Sequence, residues 1–416
     1  MISAFSTALS GLNADTTAIN AVGNDLANLN TTGYKATDIS FEDLVSQASN
    51  GGSSNSNVGL GVGNAITLSN YSQGSLQTAS GPLDCAIQGN GFFVATNSQG
   101  GTEYTRDGTF SLNTNGELVT ASGDAVQGWT AANGVVNTNG PIGNISIPVS
   151  TTVPASPTTT MSIAANLNSQ VATTDTGAVF SAPVQIVDSQ GTDHTLTVTY
   201  TKTASNSWTY AVTIPATDLQ AGGTTSLASG TLTFDASGNL TSPAVANGQI
   251  PVQIKGFLDG ASDQTVNWNL YDPSGNSTVT QFAAATGTSS IQQNGYQAGQ
   301  ISNVSMATGG MLVAKYSNGQ QVTLGQLAVA SITNPTSLSG VGNNMLQATA
   351  QTAPAAIGTA NTGDRGQVEA GVLEASTVDI ATEFTNLLTY QRSYQADSRV
   401  ITTADQLLQE TVNLIH

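Results

Sequence analysis

The chain has 416 residues, more than one hydrophobic core accommodates, so two or three domains are expected. Only 8% of residues are charged, yet 26 acidic residues against 8 basic ones give a formal charge of -18, a surface that repels nucleic acid and anionic lipid and makes both poor partners. Cys85 is the sole cysteine, which excludes an intramolecular disulfide and a cysteine-based metal cluster within one chain; it reads as a small buried apolar residue.

The first thirty residues carry one apolar stripe. Phe5, Leu12, Ile19 and Leu26 recur every seven residues, with Ile2, Leu9, Val22 and Leu29 beside them, as in a helix that packs along one face. "NLNTTGYK" stops the pattern, with Gly33 supplying the positive φ of a helix end. No basic residue precedes Lys35, so the charged start of a cleaved secretory signal is lacking, and no run of about 18 apolar residues offers a membrane span. Residues 46–64, "SQASNGGSSNSNVGLGVGN", read as a flexible connection, and their "GLGVGN" misses the dinucleotide fingerprint by one position.

The period then changes from helical to alternating. "HTLTVTY", "WTYAVTIP" and "TVNWNLYD" place Leu196, Val198 and Tyr200, then Trp208, Tyr210, Val212 and Ile214, then Val266, Trp268 and Leu270 on single faces of half-buried antiparallel strands. Four segments, "FSLNTNGELV", "QIVDSQGTDHT", "LTFDASGNLT" and "NLYDPSGNST", run into Asn or Asp, two residues and Gly. There the Asx side chain supports a type I turn and Gly takes the left-handed position, which predicts tight hairpins rather than calcium loops. Residues 147–163 read as a Pro/Thr linker and 283–295 as a small-residue return, so the block 147–296 looks inserted in a larger unit.

The chain closes on a long segment without Gly or Pro. Ile380, Leu387, Tyr394, Ile401, Leu408 and Ile415 fall seven apart, flanked by Phe384 and Leu388 early and by Val400, Leu407 and Leu414 late, the lateral drift of an undistorted helix. Ser376 followed by Asp379 reads as its capping box. The expected fold is mainly β with α-helical termini that pair as a coiled coil. That coiled coil spans residues 1–30 and 372–416, a connecting segment 31–69, an inner β domain 70–146 and 297–371, and an inserted outer β domain 147–296.

No nucleophile elbow, zinc-protease or phosphate-loop motif is present. His194 and His416 read as surface residues without a role. The carboxylate pairs Asp188 with Asp193 and Asp259 with Asp263 sit in Gly-containing turns where Asp already has a structural task. We therefore expect no catalytic residue, no cofactor and no metal ligand.

Two helices burying one stripe each do not offset the conformational entropy of ordering them, so further apolar contact is needed. The small Ala8, Ala14, Ala18, Ala21 and Ala27 allow close approach, and other copies of the chain are the natural source of contact. Head-to-tail packing of that kind propagates into a helical filament.

These residues also carry a resemblance. "SGLNADTTAINAVGNDLANLNTTGYK", "GPLDCAIQGNGFFVATNSQGGTEYTRDGTFSLNTNGELV" and "VLEASTVDIATEFTNLLTYQRSYQADSRVITTADQLLQETVNLI" are similar, in this order, to the three motifs of the bacterial flagellar axial family of rod and hook subunits. The block 147–296 resembles the outer domain of the hook proteins in particular. Small departures are Cys85 at an aliphatic position, Ser-Thr in "EASTVDIA" where Ser-Asn is expected, and Asp397 where Asn is usual.

The resemblance implies a homo-oligomeric tube around an export channel, built from the terminal helices, with the inner and then the outer β domain outside it. It implies a universal joint passing torque from rod to filament, export by the flagellar type III apparatus without a cleaved signal peptide, and rod, hook cap and hook–filament junction proteins as partners. It implies neither nucleic-acid binding nor membrane insertion. A distal rod subunit and, from another class, a secreted β-rich adhesin or glycan-active protein remain alternatives at this point.

Overall fold

The computed structural model describes residues 2–44, 47–48, 57–58, 61–132, 134–147 and 152–413. Most of the expected connection at 46–64, together with Ile415 and His416, lies outside them. Helix α1 spans Ile2–Ala27 and helix α2 spans Ile380–Asn413, and the two pack together.

Two local expectations at the helix ends are corrected. Gly33 has φ +69°, but it lies well past the last turn of α1. That turn is closed instead by Asn28, whose side-chain nitrogen donates to the Asn24 carbonyl at 2.9 Å. Gly33 is needed because a Cβ there would fall 2.7 Å from the Arg106 backbone, where its own N–H donates to the Glu374 carbonyl. At α2, Asp379 alone is the cap: its Oδ1 accepts the Thr382 N–H at 2.8 Å, satisfying one of the orphan amides of the first turn. Ser376 Oγ accepts the Val378 N–H and does not reach the helix.

The chain divides into two units. The first contains both helices and residues up to 149, 303–315 and 321–416. In its main sheet the strands Met311–Tyr316, Gln321–Leu327, Ala125–Ala132, Phe92–Thr96, Thr102–Thr105, Met345–Gln347 and Ser339–Gly342 follow one another by hydrogen bonding. Phe92, Val94, Tyr104, Trp129, Ala330 and Leu338 fill one core of this unit. Cys85 is fully buried, and that burial pushes its thiol far up, as expected of an inert packing residue.

The second unit, residues 150–302 and 316–320, packs two sheets across one core. One is the meander Val179–Val187, Asp193–Ala204, Ser207–Thr213, Ser226–Phe234 and Leu240–Ser242; the other holds Gln249–Ile254, Gln264–Asn269, Thr160–Asn166 and Val279–Thr280. The alternation read from the sequence is present: Leu196, Val198, Tyr200, Trp208, Val212, Val266 and Trp268 are all fully buried, while Thr195, Thr197, Thr199, Thr201 and Thr203 point outward.

The four expected turns form as well. Gly116, Gly191, Gly238 and Gly275 hold φ between +78° and +93°, and Asn113, Asp188, Asp235 and Asp272 each accept backbone N–H groups two and four residues on.

Other readings in this unit fail. Residues 160–163 of the supposed linker are the start of strand Thr160–Asn166, and the supposed return contains strand Gly287–Gln293, which pairs with it. Strand Thr160–Asn166 does alternate, burying Met161, Ile163 and Ala165, but the Pro/Thr-rich run before it masked the start of the pattern; Gly287–Gln293 has exposed side chains and is held by pairing rather than by an apolar pattern. His194 is not a surface residue: it is 5% exposed, at the start of strand Asp193–Ala204, between Asp188 and Asp218. The Asp residues weighed as carboxylate pairs do have the structural tasks expected of them: Asp188 accepts the Gln190 and Thr192 N–H groups, Asp193 the Gln297 side-chain N–H, Asp259 the Ala261 N–H and Asp263 the Gly256 N–H.

Candidate functional site

Helices α1 and α2 run antiparallel: Gly11 lies against Asp397, and Asp25 lies near Glu383. The residues that α1 buries are small or acidic. Ala8, Asp15, Ala18, Val22 and Asp25 are buried and recur at helical spacing with Gly11, where an added Cβ would overlap the Asp397 carboxylate. On α2 the buried positions are Glu383 and Ala404, with Leu387, Tyr390, Asp397 and Ile401 half-buried.

This overturns the seam expected from the large residues. Of that set, Val22 is buried and Leu12, Ile19, Leu26, Leu29, Leu387 and Ile401 are half-buried. Phe5, Leu9, Ile380, Phe384, Tyr394 and Leu408 are exposed, and Ile415 lies outside the described residues. Phe384, Leu388 and Leu407 are 52%, 54% and 53% exposed. The physical reason is distance: helices that meet through Ala and Gly approach closely, and the bulky heptad residues rotate off the line of contact. The small-residue stripe is legible in the sequence, and on α1 it makes the line of contact in place of the larger residues.

The buried carboxylates set the electrostatics of the pair. Burial, and then Asp397, raise the Asp15 carboxyl above its ordinary value, and its Oδ2 has no hydrogen-bond partner among the described residues. Burial, and then Asp25, raise Glu383. Asp25 itself is a clamp: Oδ1 accepts the Tyr34 hydroxyl at 2.7 Å and Oδ2 the Thr37 N–H at 2.8 Å, so the chain folds back after α1. Burial, and then Asp25, push the Tyr34 phenol well up.

A second charged group fixes the base of both helices. Glu374, fully buried just before α2, meets Lys35 at 2.6 Å and Arg106 at 3.2 Å, and also accepts the Gly74 N–H at 2.8 Å. Beside it the Ala36 N–H donates to Thr377 Oγ1 and the Thr377 N–H to the Tyr34 carbonyl. Thus the exit of α1 and the entry of α2 are laced together and anchored to the β structure. Three ions drawn from positions 35, 106 and 374 leave no local sequence signal, and the sequence reading missed them.

A β-rich subunit with paired terminal helices and a row of bulky apolar side chains left outside the pair belongs to the class of structural subunits that polymerise. Comparison with known proteins narrows the class. Matching families are described as flagella basal body rod protein over residues 5–35, flagellar hook protein FlgE/F/G D1 domain over 86–179, flagellar basal body protein FlaE D2 domain over 158–296, and flagellar basal body rod FlgEFG protein C-terminal over 369–414.

The chain is 34% identical to the flagellar hook protein FlgE of Escherichia coli K12, over 99% of this chain and 100% of that protein. It is 34% identical to that of Salmonella typhimurium, over 99% of each, and 32% identical to that of Borreliella burgdorferi, over 98% of each. The chain belongs to the flagellar hook protein FlgE family, a family of structural proteins.

Proposed function

We propose that this chain is a non-enzymatic subunit of the flagellar hook. In this reading, copies assemble into a flexible helical tube that passes torque from the rod to the filament and surrounds the export channel. The observation that carries the reading is the apolar face that Ile380, Phe384 and Leu388 present at successive i, i+4 positions of α2, with Phe5, Leu9, Tyr394, Leu407 and Leu408 also exposed on the two helices. A solvated monomer gains nothing from such a face, whereas neighbouring copies bury it. Leu12, Ile19, Leu26, Leu29, Leu387 and Ile401 extend it at half-buried positions, and Val22 serves the intramolecular pair.

The helical segments 1–30 and 372–416 hold the tube, and the β segments 70–146 with 297–371 and 147–296 supply contacts between copies. The outward threonine row of strand Asp193–Ala204 suits contacts that slide as the tube bends, because wet polar contacts exchange at little cost. Rod, hook cap and junction proteins are the proposed neighbours, and the flagellar type III apparatus the route to the cell exterior.

The test is electron microscopy of full-length protein under assembly-promoting salt, comparing wild type with Phe384→Ser/Leu388→Ser. Curved tubes from wild type and none from the variant, with unchanged monomer circular dichroism, are expected. Straight tubes favour a rod subunit, and tubes from the variant refute this face as the contact.

A further inference from the structure

Three loops of the second unit converge on His194. The turn 188–192 brings Asp188, the segment 216–219 brings Asp218, and the loop 256–263 brings Asp259. The backbone bridge Leu219↔Phe257 ties the second and third of these loops. The Phe257 ring lies 4.7 Å from the imidazole, and the Ser262 N–H donates to Ser189 Oγ, tying the third to the first. The site is therefore assembled from segments far apart in sequence, which is why no motif announced it.

Each carboxylate is aimed. Asp188 Oδ1 accepts the Gln190 and Thr192 N–H groups, Asp259 Oδ1 the Ala261 N–H, and Asp218 Oδ1 the Thr217 hydroxyl. The Oδ2 atoms are left for the ring: Asp218 Oδ2 is 3.1 Å from Nδ1, while Asp188 Oδ2 and Asp259 Oδ2 are 3.2 Å and 3.9 Å from Nε2.

Each ring nitrogen faces a carboxylate oxygen, so neutral histidine satisfies only one of them. With Nδ1–H donated to Asp218, neutral histidine presents the Nε2 lone pair to two carboxylate oxygens, three acceptors facing one another. A proton on Nε2 relieves the 3.2 Å contact with Asp188 but does not bridge to Asp259 at 3.9 Å, whereas a cation placed among the three atoms satisfies all of them.

The three donor atoms lie within 4.8 Å of one another. Tetrahedral bonds of about 2.0–2.1 Å put ligand atoms ~3.3 Å apart, so a small closure of the Asp259 loop completes the set. An imidazole held by a carboxylate on its far nitrogen is also the arrangement that orients metal-binding histidines. Imidazole with carboxylates suits zinc-like ions, whereas magnesium and calcium prefer all-oxygen sets.

We infer that Asp188, His194 and Asp259 form a binding site for one zinc-type divalent cation, with Asp218 orienting the imidazole. Asp188 and His194 are buried and Asp259 is partly exposed, so the ion enters from the solvent side and a water completes its coordination. Bound there, it clips three loops of the second unit together.

The test uses full-length protein stripped with a chelator, equilibrium dialysis against zinc and elemental analysis, with cobalt absorption as a readout of tetrahedral geometry. One ion per chain is expected. Asp259→Asn, at a partly exposed position where the Oδ1 acceptor is kept, and His194→Gln lower affinity at least tenfold. Asp218→Asn lowers it by about ten- to a hundredfold, and His416→Ala leaves it unchanged. Three results overturn the site: no stoichiometric binding by wild type, binding unaffected by Asp259→Asn in a protein with wild-type circular dichroism, or binding lost only in His416→Ala.

Discussion

Replacing Glu374 with alanine strands Lys35 and Arg106 in a site where both are buried, and leaves the Gly74 N–H without its acceptor. Breaking a buried ion pair from one side costs about 3–5 kcal/mol, and an orphaned amide adds about 1 kcal/mol, so the first unit should lose roughly 5 kcal/mol. At about 1.4 kcal/mol per factor of ten, the open population rises on the order of a thousandfold. Hydrogen exchange read by mass spectrometry tests this locally. Peptides from Cys85–Gln88 and from Gln367–Ala370, which pair with each other, should exchange faster, while the Trp208 strand of the second unit stays unchanged as an internal control. Glu374→Gln, which keeps an acceptor but no charge, should fall between the two. Unaltered exchange in the first unit of Glu374→Ala would show that the charged group is not what anchors the helices, and would refute the reasoning.

Acidity should act on the helix pair in a defined direction. Asp15 and Glu383 have raised folded values, chiefly through burial, so their contribution is fully present below the ordinary carboxylate range and is lost as pH rises through those raised values. Helix melting followed by circular dichroism should therefore move down as pH rises above the ordinary carboxylate range, and a rise there would contradict the assignment. The Asp379 cap works oppositely: the Thr382 N–H lowers its folded value, so its contribution is lost only as pH falls below the ordinary range. Within the β structure, Gly128→Ala drives a Cβ into the Gln326 carbonyl and to 2.7 Å from Ile145 Cδ1, where two paired strands leave no room. A loss of at least about 2 kcal/mol in urea unfolding is expected, and a neutral substitution would mean that the strands separate easily.

What the sequence made legible is what short-range periodicity encodes. Alternation located the strands carrying Leu196 to Tyr200 and Trp208 to Ile214, and Asx-x-x-Gly located the four turns, because each signal depends on a few adjacent residues. Strand Gly287–Gln293 stayed hidden because every residue from Thr288 onward is exposed and no apolar alternation marks it. Lys35, Arg106 and Glu374 stayed hidden because their meeting is a property of the folded chain. His194 was misjudged because a turn-forming Asp188 nearby explained the local pattern without requiring that the ring be buried.

The helix pair shows why periodicity alone misled there. Heptad spacing says that a face is apolar, but α1 meets its partner through a second line, of small residues with acids, while α2 turns Glu383, Leu387, Tyr390, Asp397, Ile401 and Ala404 inward and leaves Ile380, Phe384 and Leu388 exposed. The small face closes within the chain because Gly11 and Ala18 permit a close approach that Phe5 or Leu9 would prevent. Its buried acids cost stability in an isolated chain, since Asp15 Oδ2 has no partner among the described residues and Glu383 faces Asp25. In the proposed reading, a subunit that is exported before it assembles benefits from such a weak internal seam. On the same reading, the bulky side chains left exposed contribute their apolar burial only when a neighbouring copy arrives, which would tie the stability of the helices to polymerisation rather than to the fold of the single chain.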